Sequence, residues 1–201
     1  MAQGGEAYTK ARAAALTALK LDEKLAEAYI PLAVVKFYHD WNWAGAEQDY
    51  RRAIELRPDY PTAHQRYSLA LMWLGRFEQA QAEIQRAREL DPASLVINTN
   101  AGEVLLRWRR YEQAVEAARK VLELEASYAL AHVHIAQAFV QLGRYDEAIA
   151  DLKTSLPRSG ANGLGRLGHA YGVAGRRAEA LSLLKDLLEL QGIVGNHPES
   201  H

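Results

Sequence analysis

The chain has 201 residues, 49% hydrophobic and 24% charged, which are globular values and exclude a disordered tail or a membrane-embedded bundle. Lys and Arg number 24 against 25 Asp and Glu, so a formal charge of −1 leaves no electrostatic footprint for nucleic acid or anionic lipid. The absence of cysteine excludes disulfides, Cys-ligated zinc, iron–sulfur clusters and thiol chemistry. No apolar run approaches the ~20 residues that span a bilayer, and Met1–Gly5 has no signal-like apolar stretch. A cytoplasmic location is the expectation.

Taken in chain order, the elements repeat. Residues 6–23 form one amphipathic helix with an Ala11, Ala15, Ala18 and Leu19 stripe. Five units follow at about 26–60, 61–94, 95–128, 129–160 and 161–194, and 195–201 is expected to be a disordered tail. Trp43, Phe77, Tyr111 and Tyr145 lie 34 residues apart, and three residues after each comes Ala46, Ala80, Ala114 or Ala148. Within a unit the apolar spacing is three and four, as in Phe77, Ala80, Ile84 and Ala87, which is one stripe of a helix. Gly75, Gly143 and Gly175 separate the two helices of a unit, where a helix C-terminus needs positive φ. Pro58 and Pro92 mark the other junction. Pro157 is expected to end the fourth unit's second helix early, because that unit is two residues short. No strand is expected.

This pattern resembles the tetratricopeptide repeat over nearly the whole chain. The second helices carry the likeness in Ala46, Tyr50, Ala53 and Pro58, then Ala80, Ile84, Ala87 and Pro92. The first helices carry it in the small slot, at Ala33, Ser68, Gly102, Ala136 and Gly168. The slot normally held by tryptophan has Tyr29, His64, Asn98 and His132 instead. The resemblance implies an all-α right-handed solenoid of about eleven helices, five antiparallel pairs after a leading half repeat. The Asp40-Trp41-Asn42-Trp43-Ala44-Gly45-Ala46 stretch, with Gly168–Tyr171 and Gly175–Ala180, is similar to repeat regions of bacterial winged-helix regulators, adenylate cyclases and Ser/Thr kinases. It implies signalling or transcription regulation as context. The leading helix lacks its partner and the leucine-rich last helix lacks a polar cap, so the chain is expected to be a piece of a larger protein with adhesive ends.

Chemical motifs are weak against this background. Gly163–Gly168 spells G-x-G-x-x-G but has no strand before it, and Gly168 is expected to serve as a packing slot. His132 and His134 lie two apart, whereas a helical metal pair needs four. No serine occupies a G-x-S-x-G elbow. No enzyme, cofactor or metal site is expected. Of the tryptophans, Trp43 is expected in the core and Trp73 on the concave face.

The resemblance implies that first helices line a concave groove that takes a peptide. Its expected binding residues are Gln65, Arg66, Leu69 and Trp73, then Asn100, Glu103 and Arg107, then His134, Gln137 and Gln141, then Arg166 and His169. Amides can serve a peptide N–H or C=O, and arginine can grip a carboxylate with two bonds. Relatives that clamp a chaperone C-terminus use a lysine and asparagine set. Ile30, Val34, Gln65, Leu69, Asn100 and Glu103 stand in those places, so that partner is excluded. The expected function is a protein-interaction scaffold for a protein or peptide partner, with no nucleic acid and no membrane insertion. The alternative is self-association through the ends.

Overall fold

The computed structural model describes the backbone of residues 2–190, with side chains at 5–156 and 163–188. The expected tail at 195–201 and the end of the fifth unit lie outside the described residues. Every described element is a helix: α1 (Ala2–Leu21), α2 (Ala26–Tyr38), α3 (Trp43–Leu56), α4 (Pro61–Trp73), α5 (Phe77–Leu90), α6 (Leu95–Arg107), α7 (Tyr111–Leu124), α8 (Ala129–Gln141), α9 (Tyr145–Val173) and α10 (Arg177–Leu190). They fall into two compact units, 1–108 with α1–α6 and 109–201 with α7–α10.

In the first unit, α2 packs on α3 and α4 on α5, and the first helices α2, α4 and α6 lie side by side. The close contacts are made by small residues: Ala33, Ala46, Ala53, Ala63, Ala80 and Ala87 have no exposed surface. The small slot at Ser68 is also fully covered, and its hydroxyl donates to the Ala80 carbonyl at 2.7 Å, satisfying a polar group in the helix contact. Tyr50 and Ile84 fill the space between helix pairs.

The second unit repeats the scheme. Ala114, Ala118 and Val121 of α7 face α8, and Ala148 and Leu152 of α9 are buried. At Gly168, however, an added Cβ would meet nothing within 4 Å among the described residues, so no close contact there requires a glycine. Helix α9 is longer than any other, at 29 residues, and replaces two expected helices. Other second helices have 14 residues and first helices 13, so this span would leave only two residues for the link instead of four. The helical hydrogen bonding therefore runs on past Pro157. Yet the Lys153 ammonium lies 5.8 Å from the Tyr171 ring centroid. A straight helix would separate those residues by about 27 Å at 1.5 Å per residue, beyond the reach of both side chains. The run is therefore bent between 153 and 171 into two legs, one against α8 and one against α10.

The turns within units share one device. Gly75, Gly143 and Gly175 have φ of 74°, 72° and 74°. The next residue's N–H reaches back five residues, as in Arg76 to the Leu71 carbonyl at 2.9 Å, which caps the helix. Trp41 and Arg109 occupy the same place with φ of 56° and 61°.

Candidate functional site

The C-terminal ends of α2, α4 and α6 bring together the side chains best placed to meet a ligand. Tyr38, Trp73 and Arg107 are the last residues of these three helices, so they share a register position and stand in a row. The Arg107 guanidinium lies over the Trp73 ring, 4.9 Å from its centroid. Glu103, one turn back on α6, pairs with Arg107 at 3.7 Å. Trp73 is 54% exposed, an unusual exposure for so large an apolar surface at a solvent-facing row. Arg66 and Leu69 continue the same face of α4, with Arg66 exposed and Leu69 half-buried. Burial raises the Tyr38 phenol above its ordinary pKa and the Glu103 charge adds to this, while the Arg66 charge acts against it. Behind the row, Lys36 and Asp49 form an ion pair at 2.6 Å.

Two of the expected groove residues are not on the surface. Gln65 and His134 are both buried. The Gln65 position recurs as Thr99 and Val133, which are also buried, so in these three repeats this register faces neighbouring helices. Asn100 and Glu103 are half-buried, and Arg107 is exposed. In the second unit Gln137, Gln141, Arg166 and His169 are exposed, and Gln141 accepts from the Tyr111 hydroxyl at 3.4 Å. Tyr38 belongs to the row but is not marked by the 34-residue period. The one-residue insertion after it shifts the period to 35 between α2 and α4, and only that offset aligns Tyr38 with Trp73.

Trp43 also departs from expectation, at 48% exposed. Its counterpart Phe77 is covered by stacking on Trp108, with centroids 6.3 Å apart. Trp43 instead meets the edge of Trp41, which is itself 72% exposed. A cleft of about 360 Å³ opens among α3, α4 and α5, but its Arg51 pairs with Glu47 at 2.7 Å and its Glu83 with His64 at 2.6 Å. Glu47 also receives Arg76 and the Tyr67 hydroxyl, both at 2.7 Å, and the Arg76 bond foremost lowers its pKa to about 2. Among the described residues no group of three or more acidic or histidine side chains is placed to hold a metal.

Two profiles for the tetratricopeptide repeat match residues 42–97 and 99–162. The chain carries tetratricopeptide repeats. Solved structures agree with that fold. The type IV pilus biogenesis factor PilW superposes with a TM-score of 0.82 at 22% identity, covering 99% of this chain and 90% of that one. PilF of Pseudomonas aeruginosa gives 0.75 at 24% identity, covering 98% and 87%. YrrB, described as a tetratricopeptide-repeat protein with an unusual peptide-binding site, gives 0.62 at 19% identity, covering 89% and 92%. No curated protein sequence matches the chain. Tetratricopeptide-repeat proteins are generally scaffolds without catalytic activity, and the fold here is consistent with a scaffold for protein–protein interaction. Among the described residues no helix is long and apolar enough to cross a membrane.

Proposed function

We propose that the chain binds a protein or peptide partner along the face formed by α2, α4 and α6. The observation that carries this is the exposed row of Tyr38, Trp73 and Arg107, reinforced by Arg66 on the same face of α4. Tryptophan, tyrosine and arginine are the side chains most often found at the energetic centre of an interface. Each is fixed here by a helix terminus or a neighbouring ring, so little ordering entropy remains to be lost on binding. In the second unit the exposed Gln137, Gln141, Arg166 and His169 are the side chains offered to a partner. The setting is a larger bacterial regulatory protein in the cytoplasm, a reading that rests on the resemblance of residues 40–46, 168–171 and 175–180 to repeat regions of such regulators.

The test is capture of partners by the intact chain, then alanine replacement of Arg66, Trp73, Asn100 and Arg107. Each change is expected to weaken binding roughly tenfold, an alanine effect of about 1–2 kcal/mol at an anchoring residue, while the melting temperature stays close to the parent's. Unchanged affinity in all four variants removes this face from the interaction. A second reading, self-association through the ends, is favoured by the exposed leucines of α1 and α10.

A further inference from the structure

Arg66 differs from the other charged groups around the row. Glu103 is engaged by Arg107 at 3.7 Å and Asp49 by Lys36 at 2.6 Å. Arg66 is exposed, and among the described residues it makes no hydrogen bond or ion pair. Its charge is felt by the phenols of Tyr38 and Tyr50. A guanidinium offers five donors in a planar fork that matches a carboxylate, and the neighbouring phenols do not neutralise it. Seven residues further along the same face is Trp73, with one ring face under Arg107 and more than half of its surface free. Leu69 lies between them and gives an apolar floor.

We infer that this face recognises a peptide carboxylate at Arg66 together with an aromatic or large aliphatic side chain at Trp73. The inference rests on the groove reading above and names the partner's chemistry. Seven helical residues span about 10.5 Å. An extended peptide advances about 3.3 Å per residue, so the two groups should stand three residues apart. Occupation of Arg66 leaves the local charge balanced, because the acidic groups nearby already have their cations.

The test uses an array of capped alanine hexapeptides probed with the intact chain. One position carries glutamate, glutamine or lysine, and another carries phenylalanine or alanine, at every spacing from one to five. A second arm compares free C-terminal carboxylates with amides. The strongest signal is expected for glutamate and phenylalanine three apart, with glutamine weaker by about tenfold. Arg66→Gln should erase the difference between glutamate and glutamine, Arg66→Lys should keep it, and Arg66→Glu should favour lysine. Amides binding as well as free acids identify the side-chain carboxylate as the ligand; binding by free acids alone identifies the chain terminus. Binders without acidic preference, or an acidic preference that survives Arg66→Gln, overturn this inference and leave the groove reading standing. An array with no binder at millimolar peptide, together with captured partners insensitive to Trp73→Ala and Arg107→Ala, overturns both.

Discussion

At the scale of single residues, the fold depends on side chains that are small where helices touch and on backbones that turn left where helices end. Ala80 has no exposed surface, and its carbonyl already accepts from Ser68. Ala80→Asp puts a charge into that contact with no cation to meet it, and this class of change costs about 3 kcal/mol or more. The expected result is a large fall in the urea midpoint; a midpoint equal to the parent's shows that the helix register is wrong. Arg109 presents the opposite case. It holds φ at 61° in the place where Gly75 and Gly143 stand in neighbouring units. Left-handed backbone costs a non-glycine residue roughly 1–2 kcal/mol, and glycine loses about 0.5–1 kcal/mol more chain entropy on folding. Arg109→Gly should therefore raise stability by about 0.5–1 kcal/mol, read as a higher urea midpoint. The sequence shows the turn at 107–111 through its period, but it does not show that arginine accepts the strained conformation, because nothing in the pattern distinguishes a tolerated substitution from a different turn.

At the scale of helices, the tryptophan slot has become a polar fastening. His64 is buried on α4, with Nδ1 2.6 Å from a Glu83 oxygen on α5 and Nε2 3.0 Å from the Pro58 carbonyl. His132 of α8 meets Asp151 of α9 in the same register at 3.0 Å. Burial works against a charged His64, but the Glu83 and Pro58 bonds outweigh it and its pKa is raised above 6.5; the Arg86 charge opposes them only weakly. A raised histidine pKa means that the folded state holds the proton more tightly. The resulting stabilisation is complete below about pH 6.5 and is lost as pH rises through the folded-state value. His64→Ala should therefore cost more stability at pH 5.5 than at pH 8.5, checked by urea unfolding at both; an equal cost at both shows that the fold does not hold the proton more tightly than the unfolded chain does. The bond was hidden in the sequence because Glu83 lies 19 residues away on the partner helix, while the position of His64 was legible from the period alone. Helix boundaries were legible for the same reason, and α9 was not. There the missing two residues shorten the link, and the helical backbone carries through a bend where a break was expected. The groove was legible as a face but not residue by residue: a register error of one position places Gln65 outside, although its equivalents Thr99 and Val133 are buried as it is.

At the scale of the whole molecule, a stack of repeats buries each unit's apolar face on its neighbours, so the outermost described helices are left half covered. Helix α1 packs on α2 through the face of Ala15, while Leu16 is exposed and Leu21 is 86% exposed. On α10, Leu181 and Leu184 are about half exposed while Leu183 and Leu187 are half-buried. Apolar burial gains roughly 25 cal/mol per Å², so a contact of a few hundred Å² between such faces offers several kcal/mol. Against this stands the loss of translational and rotational freedom, about 4–15 kcal/mol. The two are of similar size, which predicts weak association that depends on concentration, with dissociation constants nearer millimolar than nanomolar. Sedimentation velocity over a concentration series should show the average mass rising, and Leu181→Asp with Leu184→Asp should return it to the monomer without changing the helical circular dichroism signal. If the parent chain stays monomeric at millimolar concentration, these leucines do not act as an interface. If the doubly charged variant associates as strongly as the parent, the contact is made elsewhere, with the exposed Trp41 and Trp43 pair as the next surface to charge.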